Sequence, residues 1–297
     1  MSSAVSFHLY LPQMRMTHDA IVERAQAAEA VGFDGISFMD HMAPPLALQQ
    51  DMWEAMSIAG WTLARTSTLR VGHLVLCDAF RHPAVLARQA TSLDHASGGR
   101  FDLGIGWGSV ADEFDVFGLG TTEPKARVAR LAESLDIITS LWTGEPFDYD
   151  GSSFVIRAAQ QRPAPTGRIP IIIGGSGRRT LELVSKYADW WNLPIYALDR
   201  LEELREQAGN ARVSTQSTVA LVADDGSDRD EVTALVDRRF GRSPMGRAVA
   251  IGTTAELTDH FASLRDRGVE RCYVWFTDFA PIETLERFGA VISALSA

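Results

Sequence analysis

Short apolar segments alternate with longer amphipathic segments along this chain, and the alternation restricts the fold more than any other feature. Eight of the apolar segments have the length and composition of strands: residues 5–11, 33–39, 69–77, 101–107, 169–174, 188–193, 213–223 and 271–277. Helical periodicity fills the gaps. In the first gap, Thr17 offers an N-cap and Gly32 supplies a C-terminal stop. Eight strands with intervening helices predict a (β/α)8 TIM barrel that spans residues 1–297 as a single domain.

An open doubly wound sheet is the alternative fold for the same alternation. That fold usually carries a glycine-rich turn in its first βα unit, whereas the first turn here is Pro-Gln-Met-Arg at residues 12–15. The glycines follow the fourth and fifth predicted strands instead. Two longer connections, residues 143–167 and 241–254, are predicted as insertion loops at the C-terminal face, and Asp150-Gly151 indicates a small hairpin in the first.

Charge and cysteine content exclude several classes of partner. The net charge of −10 argues against a protein that binds nucleic acid or an anionic membrane surface. Cys77 and Cys272 fall in separate predicted strands and give neither a disulfide framework nor a metal-ligand spacing. No segment approaches the ~18 apolar residues of a membrane span, and the N-terminus lacks a secretory pattern. We therefore expect a cytoplasmic protein with a small-molecule substrate and no metal.

Residues 170–180 read Pro-Ile-Ile-Ile-Gly-Gly-Ser-Gly-Arg-Arg-Thr, a buried strand that runs through a glycine-rich turn into a helix. The first amides of a helix have no internal partners and lie at the positive end of its dipole. The stretch therefore predicts a phosphate site, and a tight turn without a ligand is the alternative. Its predicted residues are Gly174, Gly175, Ser176, Gly177 and Arg178.

The second predicted strand ends at Asp40-His41, which places a carboxylate and an imidazole at the open end of the barrel. An aspartate there can accept hydrogen bonds from N–H groups of a ligand. A histidine titrates near neutral pH and can exchange a proton with a reacting centre. The pair therefore predicts acid–base chemistry, and a local turn cap by Asp40 is the alternative.

The fourth predicted strand ends Gly-Ile-Gly-Trp-Gly at residues 104–108, a composition suited to a flat ligand. Gly106 would let a planar ring approach the backbone, and Trp107 would form one wall; the alternative is that Trp107 fills the barrel end. His8 and Asn192 are candidates to line a substrate pocket, with structural roles as the alternative. Glu113 and Asp115 lie in a polar stretch that is expected to be solvated, with a carboxylate on the substrate side of the pocket as the alternative.

With these residues in place, the chain resembles the luciferase-like monooxygenase family, barrel proteins that bind a flavin or the deazaflavin coenzyme F420. The motifs that carry the resemblance are residues 37–41, 80–83, 93–107, 171–181 and 187–192. The resemblance implies a ring across the C-terminal mouth of the barrel, with Asp40 and His41 beside it. It also implies a cis non-prolyl peptide within residues 75–78, which would place Leu76 and Cys77 against the ring, and a homodimer.

The resemblance to the F420-dependent branch predicts an oxidoreductase that transfers hydride between the deazaflavin and a small organic substrate, with His41 managing the proton. Some enzymes of this branch carry a proton-donating glutamate where this chain has Trp107, which speaks against sugar-phosphate oxidation. An FMN-dependent monooxygenase supplied by a separate reductase and a binding protein without turnover are the alternatives. An aldolase barrel is disfavoured because Lys125 and Lys186 fall on predicted helices.

Overall fold

The computed structural model describes residues 4–45, 47–241 and 244–296. Its strands are β1 Ser6–Tyr10, β2 Gly35–Phe38, β3 Arg70–His73, β4 Leu76–Cys77, β5 Phe101–Gly106, β6 Phe147–Asp150, β7 Val155–Ala159, β8 Ile171–Gly174, β9 Trp190–Leu193, β10 Arg212–Leu221, β11 Ala250–Gly252 and β12 Arg271–Phe276. Its helices are α1 His18–Val31, α2 Ala55–Leu63, α3 Pro83–Ser97, α4 Ala111–Phe117, α5 Pro124–Trp142, α6 Arg178–Tyr187, α7 Leu201–Arg205, α8 Arg229–Phe240, α9 Pro244–Arg247, α10 Thr254–Asp266 and α11 Ile282–Leu295.

Eight of these strands pair in parallel and close on themselves. Their order around the ring is β1-β2-β3-β5-β8-β9-β10-β12, and β12 pairs again with β1. The short strand β4 extends the edge of β5, and β11 runs beside the end of β10. The predicted TIM barrel is confirmed, and the carboxyl ends of all eight strands meet at one open end, which we call the mouth.

Local sequence signals set several helix boundaries, and those at Thr17 and Gly32 were predicted. The Thr17 hydroxyl accepts a hydrogen bond from the Ala20 amide at 3.2 Å, and Gly32 ends α1 with a φ of +99°. Pro83 and Pro124 each occupy the first turn of their helix, where a missing N–H costs nothing. Outward-facing strand residues then pack under the helices; Phe7 of β1 meets the ring of Phe261 edge to face, with centroids 5.2 Å apart.

A buried ion cluster fills the N-terminal half of the barrel interior. Asp102 accepts a hydrogen bond from Arg70 Nε at 2.8 Å and another from Arg271 Nη1 at 3.1 Å. The Arg271 guanidinium also lies over the Trp190 ring, 3.8 Å from its centroid. One buried carboxylate thus pairs with two guanidinium groups, each of which begins its strand.

His8 belongs to this lower layer and not to the mouth, so its prediction as a substrate-lining residue is corrected. It lies opposite Gly35 and Tyr273 in the strand register, two residues before Tyr10 in the inward-facing row. A Cβ placed on Gly35 would lie 2.4 Å from its Nδ1. Burial, followed by the charges of Arg271 and Arg70, lowers the pKa of His8 well below its usual value. The imidazole is therefore a neutral core residue beneath the mouth.

The two longer connections have different positions. Residues 143–167 follow a helix and precede a strand, and the predicted hairpin is present as β6 and β7. Glu133 of α5 accepts hydrogen bonds from the amides of Ser152 and Ser153 at its tip. This segment therefore packs against the outside of the helical layer instead of covering the mouth. In the second connection, β11 adjoins the carboxyl end of β10 and so lies at the mouth.

Two buried histidines give the fold a defined pH dependence. Burial, the leading cause, lowers the pKa of His73 to about 4, and His8 shifts in the same direction. Because the unfolded chain binds protons at these sites below pH ~6.5, stability present above that value is lost as the pH falls towards 4. His73 alone is expected to cost about 2 kcal/mol in the free energy of unfolding at pH 5 relative to pH 7. Urea unfolding should show that the free energy of unfolding falls less between pH 7 and pH 5 in a His73→Met variant than in the parent protein. His95→Met, which changes an exposed histidine, is the control and should show the parental decrease.

Candidate active site

His41 stands at the mouth directly after β2, and a buried carboxylate holds it. Oε2 of Glu113 lies 3.0 Å from Nδ1 of His41, and Oε1 of Glu113 accepts a hydrogen bond from the Met42 amide at 2.7 Å. Glu113 is only 8% exposed, so the expectation that it is solvated was wrong. The short helix α4 turns back over the end of β2 and buries Glu113 together with Phe114. A carboxylate at Nδ1 favours the imidazole tautomer with a proton there, which leaves Nε2 to exchange protons with a ligand.

Asp40 is engaged by the chain itself. Its Oδ2 accepts hydrogen bonds from Arg81 Nη1 at 2.6 Å and from the Cys77 amide at 2.8 Å, and its Oδ1 accepts from Arg81 Nη2 at 3.1 Å. Arg81 also pairs with Glu54. Asp40 therefore fixes the segment that follows β3, and sequence reasoning missed Arg81, which comes from the end of that segment. These contacts assign Asp40 a positioning role and give no support to proton transfer by it.

A cis non-prolyl peptide is present after β3 as the resemblance implied, but it joins Leu74 to Val75 and so lies one bond before the predicted stretch 75–78. The glycines of β5 are explained by this segment. A Cβ on Gly106 would lie 2.8 Å from Cγ2 of Val75, and one on Gly104 would lie 1.8 Å from the carbonyl oxygen of His73. These glycines thus admit the neighbouring backbone and the Val75 side chain, which replaces the interpretation that Gly106 is there to admit a ring.

Leu76 and Cys77 were predicted to contact the cofactor. They could do so only through their backbone atoms or through the uncharged thiol of Cys77. The Leu76 side chain points into the main core and is fully buried. Burial raises the pKa of the Cys77 thiol to about 12, so it stays protonated at neutral pH. Neither side chain supplies a charge or a nucleophile.

The glycine-rich turn after β8 has the geometry of an anion site, but Gly175, one of its predicted residues, does not present its amide to the anion. Gly175 has a φ of +134°, which side-chain-bearing residues rarely adopt, but its amide already donates to the Asn192 carbonyl at 3.1 Å. Gly177 is the N-cap of α6, and no side chain caps that helix. The first internal helical bond runs from the Leu181 amide to the Gly177 carbonyl. The amides at the start of α6, from Arg178 onward, are thus the donors presented to an anion, and Gly175 shapes the turn.

A cleft of about 650 Å³ opens at this turn. Its lining includes Trp107, Lys125, Gly177, Arg178, Arg179 and Thr180. The guanidinium of Arg127 lies over the Trp107 ring, 4.7 Å from its centroid, and fixes that wall. The Arg178 side chain itself pairs with Glu182 at 3.2 Å and is largely exposed, so its contribution to the turn is its amide. The structure thus brings the predicted Trp107 and the predicted turn together in one basic cleft.

Asn192 lies under the same turn. Its carbonyl holds Gly175, and its Oδ1 accepts a hydrogen bond from the Ser214 hydroxyl at 3.4 Å. The residue supports the turn from below, and its contact with a substrate remains a prediction. Within the described residues there is no group of three or more His, Cys, Asp or Glu side chains suited to a metal ion. None of the described helices combines the length and apolarity needed to cross a membrane.

The closed barrel and the residues at its mouth define a TIM-barrel enzyme with its chemistry at the carboxyl ends of the strands. A profile of the luciferase-like monooxygenase family matches residues 3–275. The chain belongs to this family, and it is an oxidoreductase.

Curated relatives and solved structures agree with this assignment. The chain is 32% identical over 233 residues to an F420-dependent glucose-6-phosphate dehydrogenase of Nakamurella multipartita, covering 74% of this chain and 67% of that protein. It is 30% identical over 223 residues to the enzyme of the same name from Microbacterium testaceum, covering 72% and 66%. The matches thus span only about two thirds of each relative's length.

Among solved structures, an F420-dependent secondary alcohol dehydrogenase in complex with an F420–acetone adduct superposes with a TM-score of 0.83 at 18% identity, covering 98% of this chain and 99% of that one. The F420-dependent tetrahydromethanopterin reductase of Methanopyrus kandleri gives 0.80 at 20% identity, covering 99% and 100%. An EDTA monooxygenase from Chelativorans gives 0.82 at 13% identity, covering 98% and 94%. At these identities the likeness establishes the fold alone.

Proposed function

We propose that this protein is a coenzyme F420-dependent oxidoreductase that transfers hydride between the deazaflavin and a small organic substrate. The observation that carries the proposal is the presence, at one barrel mouth, of an uncapped helix terminus in a basic cleft and a histidine held by a buried carboxylate. The relatives named as F420-dependent dehydrogenases support the choice of cofactor.

The residues present fit such a cofactor. When bound, F420 supplies a two-electron hydride carrier with little reactivity towards oxygen. The amides at the start of α6 would hold its phosphate, and Trp107 would close one wall of the cleft. His41 would hold or release a proton at Nε2, while Glu113 keeps Nδ1 occupied. Asp40 and Arg81 would hold the segment between β3 and α3 in place.

A parallel fluorescence titration with oxidised F420 and with FMN tests the proposal. We expect micromolar binding of F420 and much weaker binding of FMN. The reverse order of affinity would overturn the assignment and indicate an FMN-dependent monooxygenase that needs a separate flavin reductase. Tight F420 binding with no turnover on any substrate would instead indicate a cofactor-binding protein.

The proposal includes a cytoplasmic homodimer that receives reduced F420 from a separate dehydrogenase. Two buried free cysteines, Cys77 and Cys272, fit a reducing compartment. The dimer follows from the family resemblance, and light scattering on the purified protein measures it.

Glu113 is expected to set the tautomer of His41. A Glu113→Gln variant keeps the shape of the side chain but lacks the carboxylate that favours a proton on Nδ1, so turnover should fall by a factor on the order of 10². Nitrogen-15 NMR of the imidazole should show the proton redistributed between the two ring nitrogens. Asp115→Asn, on the exposed face of the same helix, is the matched control and should leave both readouts unchanged. An unaltered imidazole spectrum in Glu113→Gln would contradict the assignment.

A further inference from the structure

Arg127 on α5 carries a buried guanidinium group that has no acidic partner. The residue is 7% exposed, and no carboxylate in the described part of the chain lies within ion-pair distance of it. Its Nη1 donates to the Gly108 carbonyl at 3.4 Å, whereas its buried Nε has no partner among the described residues. Burying a charge in this state costs free energy that a methionine of similar length would not cost. Stability alone therefore does not account for an arginine at this position.

The guanidinium lies over two aromatic rings that belong to different parts of the mouth. Its central carbon is 4.7 Å from the centroid of the Trp107 ring and 4.4 Å from that of the Phe114 ring. Trp107 lines the basic cleft, and Phe114 follows Glu113 on α4. Cation–π contacts are stronger where the cation is shielded from water, as it is here. Arg127 thus connects the wall of the cofactor cleft to the helix that carries Glu113.

The position of α4 depends on few contacts. The helix has seven residues and no side-chain cap, and Glu113 and Phe114 are its two buried residues. A helix this short is not stable without packing. Phe114 is buried but lies outside the main core, and a Cβ on Gly108 would lie 2.9 Å from its ring. Two attachments therefore hold α4: Glu113 on His41, and Phe114 on Gly108 and Arg127.

The hydrogen bonds of Glu113 are sensitive to a displacement of α4. One carboxylate oxygen lies 3.0 Å from Nδ1 of His41, and the other accepts from the Met42 amide at 2.7 Å. Because Phe114 directly follows Glu113, a shift of its ring moves the carboxylate as well. Hydrogen bonds weaken steeply when their distances and angles change. The contact between the Phe114 ring and the guanidinium therefore bears on the pair at His41.

We infer that Arg127 is a positioning residue that holds Glu113 against His41 through Phe114 and links this pair to the Trp107 wall of the cofactor cleft. The inference rests on the proposed function, to which it adds a residue that acts through others. Coupling between two sites is reciprocal. A cofactor that packs on Trp107 should therefore also favour the position of α4 in which Glu113 bonds His41.

Nitrogen-15 NMR of the His41 imidazole without cofactor tests the positioning role. In Arg127→Met we expect the ring proton to be redistributed between the two nitrogens, as in Glu113→Gln. Adding Arg127→Met to Glu113→Gln should cause no further redistribution, because no carboxylate is left to position. Arg65→Met is the matched control and should leave the spectrum unchanged, since it removes a guanidinium that lies over the Trp61 ring at 4.3 Å, outside the mouth.

A second variant keeps the test decisive if Arg127→Met does not fold. Phe114→Leu keeps an apolar side chain on α4 but removes the ring over which the guanidinium lies, and it should shift the imidazole proton in the same direction. A merely structural role would lower the midpoint of thermal unfolding and leave the His41 spectrum as in the parent protein. That result in both variants would overturn the inference.

Cofactor binding and turnover separate this inference from the proposed function. In Arg127→Met we expect F420 affinity to fall by about threefold and single-turnover hydride transfer by about tenfold, as the loss of a shielded cation–π contact predicts. An unaltered imidazole spectrum with normal F420 binding would overturn the positioning role while the cofactor assignment stands. Absence of F420 binding by the parent protein would overturn the proposed function, whereas the spectrum recorded without cofactor would still decide whether Arg127 positions Glu113.

Discussion

Replacing His41 with asparagine is expected to lower turnover by about 10²–10⁴ while F420 affinity changes little. The asparagine amide can still donate a hydrogen bond to Glu113, as Nδ1 of the imidazole does at 3.0 Å. What it lacks is a titrating nitrogen in the place of Nε2. Single-turnover hydride transfer, followed through the absorbance of F420, measures the effect on the chemical step.

The asparagine variant also separates proton transfer from positioning. His41→Ala removes both the titrating nitrogen and the hydrogen bond to Glu113, so it should additionally alter the loop around Met42, whose amide binds the same carboxylate. If His41→Asn turned over at the parental rate across the pH range, proton handling would have to be assigned to another group.

Replacing Gly177 with aspartate is expected to abolish tight binding of phosphorylated cofactors without harming the fold. Gly177 has ordinary extended backbone angles, φ −77° and ψ 143°, and a Cβ added there meets no atom within 4 Å. Aspartate is a favoured N-cap residue, so its carboxylate would bond the amides of the first helical turn and repel a phosphate. We expect the affinity for F420 to fall by about 100-fold, since charge-assisted hydrogen bonds to the anion are lost.

The midpoint of thermal unfolding of Gly177→Asp should equal or exceed that of the parent protein, because aspartate caps α6 at least as well as glycine. Gly177→Ala adds only a methyl group in open space and should bind F420 nearly as the parent does. Riboflavin, which carries no phosphate, provides the ligand control. If Gly177→Asp bound F420 as tightly as the parent protein does, the assignment of the cofactor phosphate to this turn would be wrong.

Local and periodic features of the fold were predictable from the sequence. Gly32 and Pro83 act on the backbone of their own neighbours, so the boundaries that they signal hold whatever the tertiary context. The eight strands were predictable because each is a short apolar run between helical segments. The turn at Gly177 was predictable for the same reason, since its strand, glycines and helix are contiguous in the chain.

Long-range pairings within the site were not predictable. Glu113 and His41 are 72 positions apart, and nothing in the acidic stretch of α4 distinguishes the buried carboxylate from its solvated neighbours. One local signal was available: Glu113 precedes Phe114, an aromatic residue that a short helix can bury only by folding onto the barrel. The position of His8 was not predictable for a different reason. Period-two patterning shows which face of a strand a residue lies on, but it does not show how far along the barrel axis the residue lies.

The ion cluster around Asp102 stabilises the barrel at the end opposite the mouth, so stability and function depend on different sets of residues. Asp102 pairs with Arg70 and Arg271 at the opposite end of the strands, and within the part of the chain that the structure describes these pairs do not involve the loops after β2 or β5. Those loops can therefore accumulate substitutions while the residues of the ion cluster are retained. New specificities can arise at the mouth by ordinary substitution, which is the property that makes a scaffold of this kind evolvable.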